Sequence, residues 1–113
     1  MRGRASPDLN EAIDAGVAVS QRRTHAIISV FFGIVIRMYF DDHPPAHFHA
    51  SYQGFEAFVA IETGDVIHGK LPNKAARIVR QWALDHRDEL MANWRRGVSL
   101  LPMEMIPGAD LDD

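Results

Sequence analysis

Between Ala26 and Glu62 apolar and polar positions alternate with a period of two, and from Leu71 onward the period lengthens to about 3.6. The first regime predicts strands and the second helices. A β-branched and aromatic run from Ala26 to Ile36 is interrupted by Gly33, which predicts two strands meeting there. In the second of them Ile34, Ile36, Met38 and Phe40 share one face, and Val35, Arg37 and Tyr39 share the other. After a proline-containing loop, His47 to Tyr52 alternates again. Gln53-Gly54 signals a two-residue turn, and Phe55 to Glu62 is the return strand. Such a turn sets Tyr52 opposite Phe55, Ala50 opposite Ala57 and Phe48 opposite Val59, all on one apolar face. The opposite face then carries His47, His49 and Ser51 across from Ala60, Phe58 and Glu56. Thr63-Gly64-Asp65 is a further turn, and Val66-Ile67 a short fifth strand.

In the second regime Leu71, Ala75, Ile78, Val79 and Trp82 share a helix face, with Pro72 in the first turn and Lys74, Arg77 and Arg80 mainly outside. Asp85 with Asp88 resembles a cap, so a second helix is expected from His86, carrying Leu90, Met91 and Trp94 and ending at Gly97. One continuous, kinked helix is the competing arrangement. The pattern predicts an α+β fold, an antiparallel sheet of four to five strands covered by two C-terminal helices. It occupies a single domain over residues 24–101, after a polar, flexible extension (1–23) and before an acidic extended tail (102–113).

Composition narrows the chemistry. The chain has 113 residues, 47% of them hydrophobic, which suffices for one core without covalent staples. It has no cysteine, which removes disulfides, a disulfide-linked partner, thiolate metal sites and thiol nucleophiles. The net charge of −3 argues against coating nucleic acid by bulk charge. Resolved by segment it is uneven. Residues 24–69 hold one base and five acids, residues 70–101 seven bases and three acids, and the last twelve residues four acids. Arg22-Arg23 before the Ala26–Ile36 run imitates a targeting signal. The run is shorter than the roughly 20 residues that span a bilayer, contains Gly33 and lacks a small-residue cleavage site. The expectation is a cytoplasmic protein with no membrane partner.

The dense constellation is Asp41-Asp42-His43-Pro44-Pro45-Ala46-His47-Phe48-His49, which holds three of the six histidines. On a strand His47 and His49 project to one face, about 7 Å apart. Three readings stay open. His47 and His49 could supply two nitrogens to a divalent metal, with His43 or Asp42 as a third ligand. Alternatively, if the preceding strand sets Tyr39 near His47 and Arg37 near His49, two imidazoles, a guanidinium and a phenol form a metal-free set for RNA phosphodiester cleavage, with Arg37 on the phosphate. Or the imidazoles simply hydrogen-bond Asp41 or Asp42 and the prolines stiffen a loop. Lys74, Arg77, Arg80 and Arg87 are candidates to face phosphates or an acidic partner, against the commoner solvated helix face. Asp88 and Glu89 in the first turn of the second helix count against a DNA-reading helix, and Trp82 and Trp94 lie on apolar faces.

The succession of Phe31-Phe32-Gly33-Ile34-Val35-Ile36-Arg37-Met38-Tyr39-Phe40, Asp42-His43-Pro44-Pro45-Ala46-His47-Phe48-His49-Ala50, Ile61-Glu62-Thr63-Gly64-Asp65, Gly69-Lys70-Leu71-Pro72 and Asn93-Trp94 resembles the family called "domain of unknown function 4160". The resemblance covers residues 27–101; the first 23 residues precede the point where such proteins usually begin. It implies a small bacterial protein encoded beside a second small protein, the pair looking like a toxin–antitoxin module with this chain on the toxin side. The shared histidine motif carries over onto His43, His47 and His49, without an agreed reaction. The expected function is therefore a toxin-like component neutralised by a small cognate partner. It would act on RNA or translation through His47, His49, Arg37 and Tyr39. The alternatives are a non-enzymatic nucleic-acid- or partner-binding regulator and a divalent-metal-dependent hydrolase.

Overall fold

Two-residue turns dominate the sheet. Phe32-Gly33 and Gln53-Gly54 both take positive φ at both positions (52° and 76°, 46° and 85°), the geometry whose twist matches paired antiparallel strands. In a computed structural model that describes residues 24–112, five strands follow one another as an antiparallel meander: β1 (His25–Phe31), β2 (Ile34–Tyr39), β3 (His47–Tyr52), β4 (Phe55–Ala60) and β5 (Val66–Gly69). Two helices follow, α1 (Asn73–Asp85) and α2 (Arg87–Val98), and a 3₁₀ turn over Ala109–Leu111. The α+β class stands, and so does the expected register: Tyr52↔Phe55, Ala50↔Ala57, Phe48↔Val59, His49↔Phe58 and His47↔Ala60. Among the described residues no helix is long and apolar enough to cross a membrane. The expectation of a flexible extension at 1–23 lies outside the described residues.

One sheet face, with Ile34, Ile36, Met38, Phe48, Ala50, Ala57 and Val59, meets Leu71, Ala75, Val79, Trp82 and Leu90 in a single buried core. Trp82 is its largest member, with its ring centroid 4.9 Å from that of Phe31 and 5.7 Å from that of Phe48.

The helix ends depart from the sequence expectation. Asp85 does not cap α2; its carboxylate accepts from Gln81 Nε2 at 3.0 Å, one turn back. The break falls at His86 (φ −115°, ψ 25°), which occupies the N-cap position without a side-chain cap. Gly97 is not the helix stop either. It lies inside the last turn, at a position where a Cβ would meet Met103 Cε at 2.7 Å and the Tyr39 carbonyl at 3.4 Å. This close approach lets the Asp41 N–H reach the Gly97 carbonyl at 3.1 Å. The loop after β2 is thereby tied to α2.

Residues 102–108 carry no regular structure and, with the 3₁₀ turn that follows, are docked on the domain. A bulge between Ile27 and Ser29 turns both Ile28 and Ser29 inward. Ser29 Oγ donates to the Ile106 carbonyl and the Ile106 N–H donates to the Ile28 carbonyl, each at 2.8 Å. Trp82 Nε1 donates to the Pro107 carbonyl at 2.8 Å, and Asn93 brackets Glu104, donating to its carbonyl and accepting its N–H. Beyond these, His86 holds Glu89 by Nδ1 and Asp112 by Nε2, the latter at 3.1 Å. Burial pulls the His86 pKa down, but the two carboxylates more than offset it and the net direction is up.

Two outcomes are expected. A group with a raised folded pKa stabilises fully below its unfolded value and ceases to do so as pH rises through the folded one. Wild type should therefore exceed His86→Gln in thermal stability below the ordinary value of 6.5, and the two should converge well above it, as read from melting curves across pH. Gly69→Ala should destabilise by about 3 kcal/mol, combining left-handed strain with overpacking, because its Cβ would lie 2.2 Å from the Glu56 carbonyl oxygen. Gly54→Ala, with nothing within 4 Å, should lose only the strain, about 1 kcal/mol; denaturant midpoints separate the two.

Candidate functional site

β3 is buried on both faces. Phe48 and Ala50 enter the core, and the alternate residues His47 and His49 are each only 6% exposed on the other side. β2 pairs with β3 as Val35↔Ser51, Ile36↔Ala50 and Arg37↔His49, so Tyr39 falls at the histidine end of β2. Its ring centroid is 4.5 Å from that of His49. Phe58, across the hairpin, lies against both imidazoles, at 4.2 Å from His49 and 5.3 Å from His47. The Trp94 ring of α2 lies 5.5 Å from that of His47.

The 40–46 loop supplies the polar partners. Asp41 takes a left-handed backbone (φ 55°), which an aspartate tolerates, and is anchored on Gly97 as described above. The next residue, Asp42, has a side chain only 6% exposed. Its Oδ1 accepts the His43 N–H at 2.8 Å, while Oδ2 lies 3.1 Å from His47 Nε2 and 3.5 Å from His49 Nε2. The Pro44–Pro45 bond is cis, and the Pro45 carbonyl accepts from His47 Nδ1 at 2.8 Å. A carbonyl only accepts, so Nδ1 carries the proton and Nε2 of a neutral His47 presents a lone pair to Asp42. The 3.5 Å approach of His49 Nε2 is longer than a good N–H···O bond, and that buried nitrogen has no hydrogen-bond partner. On its other side His49 Nδ1 is 3.9 Å from Glu56 Oε2. Burial pushes the His49 pKa down, more than the Asp42 carboxylate raises it.

The imidazoles and Asp42 floor an open cleft of about 740 Å³, with Glu56, Ile67 and His68 on its rim. Among the described residues no Lys or Arg lines it. Two sequence assignments change as a result. Arg37, the expected phosphate partner, turns its guanidinium to Ser51 Oγ at 3.0 Å and does not line the cleft. His43, counted with His47 and His49 as a metal ligand, is exposed at the rim, and Asp42 takes the third place: one donor atom from each of Asp42, His47 and His49 lies within 4.8 Å of the others. Tyr39 is at the site as expected.

The four helical bases do not form one patch. Arg80 pairs with Asp65 at 3.2 Å and Arg87 donates to the Glu62 carbonyl at 2.6 Å, both tying helices to the turn before β5. Lys74 borders a separate apolar cavity beside Phe32 and Tyr52, and Arg77 is exposed. Sequence reasoning missed Trp94 beside His47 and His68 on the cleft. Phe58 was already legible, since the hairpin register sets it opposite His49.

The described chain is thus an antiparallel meander backed by two helices, with a buried His–His–carboxylate cluster on the face away from the core. The sequence signature of the family "Domain of unknown function (DUF4160)" matches residues 33–95, more than half of the chain, and the protein belongs to that family. No curated protein matches the sequence, and no solved structure matches the fold.

A histidine held neutral by burial costs stability once the unfolded chain takes up a proton. With chelator present, the advantage of wild type over His49→Gln should therefore shrink as pH falls through 6.5, which chemical denaturation at several pH values measures.

Proposed function

We propose that this protein is a toxin-like component of a two-protein module, and that its activity is hydrolytic chemistry at the Asp42–His47–His49 cleft. The observation that carries the reading is the convergence of three buried donor atoms at the floor of an open, aromatic-walled cleft. Buried polar groups cost stability unless satisfied, so a cluster of titratable side chains in a cleft is a candidate for function rather than a device for stability. In hydrolysis water adds to the substrate, a base takes the water proton, and an acid returns one to the leaving group. His47 Nε2 and the Asp42 carboxylate are the candidate base and proton carrier, and Tyr39 borders them.

The cleft itself disfavours one version of this reading. Cleavage of an RNA phosphodiester by two histidines needs positive charge on the phosphate, and Arg37 is engaged with Ser51. A water-activating site is the better fit. The two-protein context, with a small cognate partner neutralising this chain in the bacterial cytoplasm, comes from family resemblance. The exposed cations Lys74 and Arg77 on α1 are the candidate contacts for an acidic partner.

Inducing the chain alone in a bacterial host should inhibit growth. Asp42→Asn and the double change His47→Ala with His49→Ala should relieve the inhibition at equal soluble protein levels. Absence of inhibition by wild type, or equal inhibition by both variants, overturns the proposal.

A further inference from the structure

The same cleft contains an electrostatic conflict that a proton relieves only in part. His47 donates through Nδ1 to the Pro45 carbonyl, which leaves Nε2 facing Asp42 Oδ2 at 3.1 Å. In the neutral state these are two lone pairs pointed at each other. A proton placed on His47 Nε2 bridges that pair, yet it leaves His49 Nε2, 3.5 Å from the same oxygen, buried and without a partner. A cation between the three atoms satisfies all of them at once.

Two of the three donor separations suit one directly, and the third lies within 4.8 Å. Ligands bound at about 2.1 Å are separated by about 3.4 Å at tetrahedral angles and by about 3.0 Å at right angles. The two separations from Asp42 Oδ2, 3.1 and 3.5 Å, fall close to those edges. The surroundings also match a metal centre. Ligating imidazoles usually donate their second nitrogen to a carbonyl or carboxylate. His47 does so to Pro45, and the Glu56 carboxylate lies on the outer side of His49.

We infer that Asp42 Oδ2, His47 Nε2 and His49 Nε2 form a binding site for one divalent transition-metal ion. Two imidazoles with one carboxylate favour zinc, iron(II), cobalt, nickel or manganese over calcium and magnesium, which prefer oxygen ligands. Three protein ligands leave at least one coordination position open, and the cleft lies on that side. His43 is outside the set. The inference concerns the same cleft as the proposed function but does not depend on a toxin role. If that function holds, the bound ion would activate the water, and His47 Nε2 and Asp42 Oδ2 would then serve as its ligands in place of the base and proton-carrier roles given to them above.

The test uses the full chain, purified without a histidine tag and stripped with chelator. Titration with cobalt(II), followed by its visible absorption, and with zinc by calorimetry, should show one equivalent bound and a rise in melting temperature. Asp42→Asn and His49→Ala should each weaken binding by about 100-fold or more, and Glu56→Gln by about 10-fold, while His43→Ala should bind as wild type. Asp42→Asn keeps the side-chain volume, so circular dichroism can establish that it is folded. Absence of stoichiometric binding by folded wild type overturns the inference. So does binding that survives Asp42→Asn and His49→Ala but is lost in His43→Ala, which marks exposed histidines as adventitious ligands. Growth inhibition that needs the histidines without metal binding would overturn the metal centre alone. Metal binding without growth inhibition would overturn the toxin reading alone.

Discussion

Strand β3 is buried on both faces, and one of those faces is polar. Most of the molecule follows from that constraint. A strand covered on one side alternates apolar and polar and leaves its polar residues to water. Here the polar positions are His47 and His49, each only 6% exposed, and burial of an imidazole without a partner is unfavourable. The segment between β2 and β3 must therefore return over the strand with acceptors in place. It does so through a left-handed Asp41, a carboxylate from Asp42 and a carbonyl from Pro45. The loop is in turn held by α2, whose Gly97 allows the contact with Asp41. The helix that closes the core on one face of the sheet thus also fixes the chemistry on the other.

The strand system was legible in the sequence because period-two alternation and turn chemistry agreed. Gln53-Gly54 set the register, and every predicted pair across β3 and β4 follows from it. The site was legible to the extent that it lies in those strands: Tyr39, His47, His49 and, by register, Phe58. Three things were not. Asp42 rather than His43 completes the cluster because the left-handed turn at Asp41 decides which side chain points inward, and two adjacent polar residues give no signal of that choice. Trp94 was readable as a core residue but not as a neighbour of His47, since helical periodicity names a face without saying which end of the sheet it reaches. Arg37 has the expected register opposite His49, yet its long side chain reaches to Ser51.

The segmental charge pattern also changes meaning. An acidic sheet half, a basic helical half and an acidic tail suggested surfaces waiting for partners. Much of that pattern is internal. Arg80 meets Asp65, Arg87 meets the Glu62 carbonyl, Arg96 meets Glu104, and His86 meets Asp112. Exposed pairs of this kind contribute little stability, about 0–1 kcal/mol each. Their consequence is positional: they fasten the helices and the tail to particular turns and draw cations away from any single face.

What that distribution leaves, among the described residues, is a cleft bordered by carboxylates. Asp42 and Glu56 border it, and among the described residues no Lys or Arg does. In a partly dry site the field of a carboxylate is felt more strongly than in water, and it bears on what enters. An anionic substrate is repelled unless something positive precedes it, whereas a small cation is drawn in and finds two imidazole nitrogens already turned toward the same point. The order of events that electrostatics favours is cation first and substrate second. Tyr39 and Phe58 line the cleft against the imidazoles, and their apolar rings strengthen the field that the carboxylates set.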